Sequence, residues 1–246
     1  MANPFGISQI VTARARKIVL GFLDHFLKEK KNPLHNMTSD LEALRQAGDS
    51  LVAAFAEAMM HDEPMKRLTA SYFIVKFRES DGRHASDEAE RYAREVILDA
   101  LKSNDHDLSM AACSLLSNLE RPAVSAIEYI RPWLASNDKW QATRAAAALS
   151  KSSEEPDAIA AHGVLHRALG GDDEELAALA GCALFSENST TFVMARHQVA
   201  RILPELSPYS QYHILVQMKQ KGIVEKEFFD VMPMLGFSLL SMRRLF

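Results

Sequence analysis

One pattern of small and large apolar residues recurs four times along the chain and limits the folds it can adopt. Four segments align on Asp62, Asn104, Asn137 and Asp172, which are spaced 42, 33 and 35 residues apart. Eight residues after each position stands an alanine, and the residue after it is always small: Ala70–Ser71, Ala112–Cys113, Ala145–Ala146 and Ala180–Gly181. Twelve residues after each position stands a large aliphatic side chain: Ile74, Leu116, Leu149 and Leu184.

The residues upstream of each alignment position repeat as well. Three residues before it stand Met59, Leu101, Leu134 and Leu169, and seven before it stand Phe55, Ile97, Ile130 and Leu165. Residues four apart share one face of a helix, so each unit is predicted to be a helix, a tight turn and a second helix. We interpret the alignment positions as N-caps of the second helices. The acid that follows each of them would then lie in the first turn, where the helix dipole favours it.

Periods of this length with two helices per unit are typical of α-solenoids, in which stacked units bury a continuous core. The 246 residues include only 10 Gly and 9 Pro, which also favours helices. The sequence therefore predicts an all-α, right-handed α–α superhelix of about five helical hairpins, with an extra helix at each end. We expect a single domain over residues 1–246, with the repeats over 48–222.

The columns resemble those of HEAT repeats over about residues 50–185. The resemblance is clearest in 137–149, where Asp138, Arg144, Ala145, Ala146 and Leu149 follow the family's second-helix pattern. The arginine column of the other three units reads Thr69, Ala111 and Leu179. The resemblance implies a HEAT-like solenoid. In that family the arginine and the aspartate often form a ladder between units, and only one unit here keeps the arginine.

The two ends of the chain are predicted to cap the array. Residues 1–47 form a basic amphipathic region, with six Lys or Arg against two acids in residues 1–35. Its alternative role is contact with an anionic membrane surface or an acidic partner. A fifth, degenerate helix pair is expected over 189–222. Residues 223–246 form a hydrophobic cap, and the alternative for the tip at Leu245 and Phe246 is homo-oligomerisation or a peripheral anchor.

The sequence offers no specific catalytic pattern. His162 and His166 have the spacing of two metal ligands on a helix, but no third ligand is placed near them. His61–Asp62 and His106–Asp107 resemble metal-dependent phosphohydrolase dipeptides, yet both fall at turns between paired helices. There is no phosphate-binding glycine loop and no nucleophile elbow. We therefore expect a non-enzymatic protein with no cofactor and no metal.

The two cysteines and the apolar segments bear on the compartment. Cys113 and Cys182 lie far apart in alanine-rich stretches, so we expect reduced, buried thiols. Neither a secretory signal nor an uncharged segment of membrane-spanning length is present. A cytoplasmic location is therefore predicted.

Nucleic-acid binding is the alternative function. Some HEAT-like proteins resemble alkylpurine DNA glycosylases, which present Trp, Asp and Arg beneath a basic surface. Trp133, Asp138, Trp140 and Arg144 cluster around one turn here. However, the expected inner face of the second helices carries two cations, whereas a duplex binder needs one for nearly every phosphate contact. Residues 151–190 hold eight acids against two bases.

Protein binding therefore remains the main functional hypothesis. We expect a scaffold that presents a concave surface to a protein or peptide partner. Trp140 and Arg144 are the best candidates for binding hot spots, since such residues supply area and bidentate hydrogen bonds. The predicted partner-binding residues are Trp140, Gln141, Arg144, Lys66, Asp107 and Glu175.

Overall fold

All regular structure in the described residues is helical. The computed structural model describes residues 13–28, 50–80, 85–119, 123–152 and 154–184, together with Leu44, Val199, Ile202, Leu203 and Ile214. These residues contain nine α-helices and a 3₁₀ helix at Arg131–Ala135 between α6 and α7. The α-helices are α1 (Ala13–Lys28), α2 (Ser50–Ala58), α3 (Pro64–Ser80), α4 (Asp87–Leu101), α5 (His106–Ser117), α6 (Val124–Ile130), α7 (Lys139–Leu149), α8 (Glu155–Leu169) and α9 (Glu174–Leu184).

The helices pack mostly on their chain neighbours, within two compact units. Unit 1 runs from Met1 to Tyr129 and unit 2 from Ile130 to Phe246, so the boundary falls within α6. In unit 1, α3 packs on α2 and α4 and also contacts α1 and α5. In unit 2, α7 packs on the 3₁₀ helix, α8 and α9, and α8 packs on α9. The predicted tail at 223–246 and most of the pair at 189–222 lie outside the described residues.

The small and large columns of the repeat are buried, as the periodicity predicts. Ala70, Ala112, Ala145 and Ala180 have no exposed surface, and neither have Ser71, Cys113 and Ala146. The large aliphatic residues four positions after these alanines are at most 2% exposed. Because alanine adds so little bulk, helices can approach each other closely at these positions. The buried columns confirm that the alanines of α7 are packing residues.

Leu134 is the one upstream column member that departs from this burial. It is half-buried, whereas its counterparts Met59, Leu101 and Leu169 are at most 2% exposed. The expected first helix of this unit ends as α-helix at Ile130 and continues as the 3₁₀ helix. Pro132 explains the change, since it has no N–H to donate to the carbonyl four residues before it. The new winding turns Leu134 away from the column.

The predicted N-caps are wrong by one residue in three units. The side chain of Asp105 accepts a hydrogen bond from Leu108 N at 3.2 Å, and that of Asp173 accepts one from Leu176 N at 3.1 Å. Asp138 accepts bonds from Trp140 N and Gln141 N. The acidic column therefore provides the caps, and Asn104, Asn137 and Asp172 precede them.

In two of these three units, a hydroxyl two residues before the cap accounts for the register; in the third, Gly171 stands at that position. Ser103 Oγ accepts the backbone N–H of Asp105 at 3.0 Å, and Ser136 Oγ accepts that of Asp138 at 3.1 Å. In the first unit His61 plays the same part, since its Nδ1 accepts the N–H of Glu63 at 3.0 Å. Each interaction closes a tight local turn that places the acid at the helix start.

The described part of the N-terminal region packs within unit 1. Helix α1 buries Val19, Phe22 and Leu23 and contacts α2 and α3. The Phe22 ring meets Phe55 and Phe73 edge to face, with ring centroids 6.1 and 5.0 Å apart. The apolar face of α1 therefore packs against the first helix pair. No helix in the described ranges is both long and apolar enough to cross a membrane.

Candidate functional site

Trp140 and Arg144 form a stacked pair on the first turns of α7. The guanidinium carbon of Arg144 lies 5.3 Å from the centroid of the Trp140 ring, which is within the range of a cation–π interaction. Both side chains are half-buried. They are one helical turn apart, so the same helix holds both partners. The pair therefore presents aromatic area and a cation in one fixed arrangement.

The start of α7 fixes the backbone beneath this pair. Asp138 Oδ1 accepts the amide N–H of Trp140 at 2.9 Å and that of Gln141 at 3.3 Å. These bonds satisfy two amides that have no partner within the helix. The backbone dihedral angles of Asp138 are φ −75° and ψ 107°, identical to those of Asp105 at the start of α5. The same local sequence, Ser-Asn-Asp, precedes both helices.

The opposite side of α7 anchors the helix in the core of unit 2. Ala142, Thr143 and every residue from Ala145 to Leu149 are buried. Thr143 Oγ1 donates to the carbonyl of Lys139 at 2.7 Å, which satisfies its hydroxyl inside the core. A helix buried along most of its length has little freedom to rotate. The Trp140–Arg144 pair is therefore mounted on a rigid element.

Gln141 stabilises the turn that precedes α7. Its Oε1 accepts a hydrogen bond from Ser136 Oγ at 2.7 Å, and the same hydroxyl accepts the N–H of Asp138. The side chain is half-buried. Sequence reasoning placed Gln141 in the binding surface, but its amide is engaged in supporting the turn. A contact with a partner would have to use its remaining N–H donors.

Glu175 lies in α9 at the position that corresponds to Trp140 in α7. It is exposed, in the first turn of a helix that begins after the cap Asp173. Because α7 and α9 pack on each other, the equivalent positions belong to neighbouring helices of the same unit. Asp172, Asp173 and Glu175 are all exposed. The turn before α9 therefore carries negative charge.

Lys66 and Asp107 belong to unit 1, and one of them is already engaged. Lys66 Nζ lies 2.7 Å from Asp24 Oδ1 and 3.1 Å from Glu63 Oε2, and its side chain is 16% exposed. Its hydrogen bond to Asp24 and then that to Glu63 raise the pKa of the Lys66 ammonium. Asp107 is exposed in the first turn of α5. That all six residues share one surface stays a prediction.

The histidines and cysteines of the described residues are the side chains to test for a metal site. In the described part of the chain, no three His, Cys, Asp or Glu side chains lie where they could hold a metal ion. His162 and His166 are half-buried on α8, and His61 accepts a turn hydrogen bond through Nδ1. Cys113 and Cys182 are free thiols. Burial raises the pKa of the Cys182 thiol to about 12, which keeps it protonated at neutral pH.

A bidentate ion pair in unit 2 was missed by the sequence analysis. Arg131 Nε and Nη2 donate to the two carboxylate oxygens of Asp157, both at 2.7 Å, and Nη2 also donates to Glu154 at 2.9 Å. The Asp157 side chain is 8% exposed and that of Arg131 43%. Asp157 precedes Ala161 and Leu165 on the buried stripe of α8. A carboxylate on an apolar stripe indicates a cationic partner.

The comparisons with known proteins return no relative. No family model matches the chain, and neither a curated protein nor a solved structure matches it. The structure shows an all-helical protein whose helices pack mostly on their chain neighbours.

Proposed function

We propose that this protein is a non-enzymatic binding scaffold, a HEAT-like right-handed superhelix that presents a concave surface to a protein or peptide partner. The observation that carries the proposal is the half-exposed Trp140–Arg144 stack on the rigid helix α7. Within unit 2, the exposed carboxylate of Glu175 occupies the equivalent position on α9. Aromatic side chains and arginine are enriched in protein-recognition surfaces.

The stacked pair supports protein binding for an energetic reason. Tryptophan and arginine are enriched among the few interface residues that carry most of the binding energy. The stack holds both side chains in one arrangement before a partner arrives. Less conformational entropy is then lost on association than for two free side chains. Because each is only half-buried, each has surface left to bury against a partner.

The charges of the described residues favour a protein partner over nucleic acid. The expected inner face has two cations, Lys66 and Arg144, and Lys66 already contacts two carboxylates at 2.7 and 3.1 Å. A paired lysine releases few counterions from a phosphate backbone. Duplex DNA should therefore produce no salt-sensitive shift at low ionic strength. Such a shift would favour the nucleic-acid alternative.

Site-specific photo-crosslinking tests the proposed surface directly. A photoreactive phenylalanine analogue replaces Trp140 in the full-length chain, and the matched control carries it at Arg91, which is exposed on α4. After irradiation in extract of the source cell, we expect one discrete adduct from position 140 that is missing from position 91. Equal, diffuse labelling from both positions would contradict the proposal.

A further inference from the structure

The exposed residues of α8 between Glu155 and Arg167 are apolar, where a helix facing water is normally charged. Ile159 is 63% exposed, one of three exposed large hydrophobic side chains among the described residues. Pro156 and Ala160 are exposed beside it, and Gly163 is half-buried one turn further on. The inward side is also apolar, with Ala161, Val164, Leu165 and Leu169 buried. A helix that is apolar on both sides implies a second contact surface.

Opposite charges stand at the two ends of this outward surface. Glu155 lies one turn before Ile159, and Arg167 lies one turn after Gly163, and both are exposed. Neither forms an ion pair with any other residue that the structure describes. We call Glu155, Pro156, Ile159, Ala160, Gly163 and Arg167 the α8 face. Residue 161 lies midway between Glu155 and Arg167. It also lies midway between Ile159 and Gly163.

The flexible end of the Arg167 side chain lies over Gly163. If Gly163 carried a β-carbon, its nearest described neighbour would be Arg167 Nη1, 3.7 Å away. That atom is the far end of a flexible side chain that can swing aside. The α8 face thus has a projection at Ile159 and a shallow depression at Gly163. These two features are one helical turn apart.

We propose that the α8 face docks a second copy of this chain across a two-fold axis, with the two α8 helices antiparallel. In that arrangement, a residue before position 161 in one copy lies opposite the residue that is equally far after position 161 in the second copy. Glu155 then faces Arg167 of the second copy, and Ile159 fills the depression over Gly163 of the second copy. Both ion pairs and both apolar contacts form twice. The face is therefore complementary to itself in charge and in shape.

The mirrored order of the charges favours this occupant over others. Two antiparallel copies place each acid opposite a base, whereas an unrelated protein would have to supply matching charges of its own. The contact is limited to one helix of about 22 Å. Such a contact is smaller than a standard stable interface, so we expect self-association that depends on protein concentration.

Charge reversal tests the proposal in the full-length chain by sedimentation velocity over a concentration series at low salt. We expect a monomer–dimer equilibrium for the wild type. Glu155→Arg and Arg167→Glu should each weaken dimerisation by about tenfold or more, because each places like charges opposite one another. The double variant should recover it. An equimolar mixture of the two single variants should also associate, since opposite charges again meet in the mixed dimer.

Two further variants separate the contact from folding. Ile159→Glu should remove dimerisation, and Asp99→Arg, a charge reversal at an exposed position of α4, should leave it unchanged. Ile159→Glu should keep the thermal midpoint of the wild type because its side chain is exposed. The two charge reversals should lower it by a few degrees at most, since each opposes the helix dipole at one end of α8. A monomer at every concentration would overturn the proposal. So would a dimer that none of the α8 variants weakens, or a double variant that fails to recover association.

Discussion

The carboxylate of Asp138 joins the start of α7 to the side chains of the candidate site. It accepts two backbone amides, and one of them belongs to Trp140 itself. Ser136 holds the N–H of Asp138 and the side chain of Gln141 at the same time. A few short hydrogen bonds thus set the direction in which the Trp140–Arg144 stack leaves the helix.

Replacement of Asp138 and of its neighbour tests the cap register. Asp138→Ala should lower the free energy of unfolding by about 1 kcal/mol, since two amides lose their acceptor. Asn137→Ala is the matched control and should change it by less than about 0.5 kcal/mol, because Asn137 is exposed. Urea titration followed by circular dichroism measures both values. A larger loss for Asn137→Ala would show that Asn137, and not Asp138, caps α7.

The bidentate pair between Arg131 and Asp157 gives a second residue-scale prediction. Arg131→Ala should cost about 2 kcal/mol, because it leaves a buried carboxylate without its guanidinium. The control is Arg91→Ala, which removes an exposed pair with Glu95 and should cost about 0.5 kcal/mol or less. The same urea titration compares the two. Equal losses would show that the Asp157 pair is no stronger than a surface ion pair.

At the scale of the helices, close approach through small residues holds each unit together. The second helices α3, α5, α7 and α9 all bury an alanine and then another small residue at equivalent positions. This spacing could be read from the sequence because the same burial requirement recurs in every unit. The break of the first helix at Pro132 could have been anticipated from the missing N–H. The partial exposure of Leu134 could not be predicted, because it depends on the winding of the 3₁₀ helix.

Enlarging one small residue tests the role of this column. Ala112→Leu should destabilise the protein by about 1–3 kcal/mol, because Ala112 has no exposed surface and the helices cannot separate without losing other contacts. Ala111→Leu adds the same volume next to it, at a half-buried position, and should cost less. Thermal unfolding of the two variants gives the comparison. A harmless Ala112→Leu would contradict the packing role of the column.

The sequence could predict those parts of the candidate site that depend on residues close together in the chain. Trp140 and Arg144 could be paired because their spacing places them one turn apart on a helix. The engagement of Lys66 could not be predicted, because its partner Asp24 lies on α1, 42 residues earlier in the chain. The caps could not be resolved because Asn137 and Asp138 are equally good capping residues. The hydrogen bond that Asp138 N–H donates to Ser136 Oγ decides between them.

At the scale of the whole molecule, buried and exposed residues of the same helices differ in their roles. Buried columns hold the helices in place, and we propose that exposed side chains on those helices recognise partners. The α8 face would add self-association to partner binding by α7, and the two surfaces use different residues. A variant can therefore remove one contact while the other contact and the fold remain intact.

The most direct test of the central claim is the affinity of the partner crosslinked at position 140 for the double variant Trp140→Ala with Arg144→Ala. We predict binding more than about tenfold weaker than the wild type, since two hot-spot side chains are lost. Because both side chains are half-buried, the thermal midpoint should fall by a few degrees at most. Unchanged affinity, or a loss of folding that matches the loss of binding, would contradict the account.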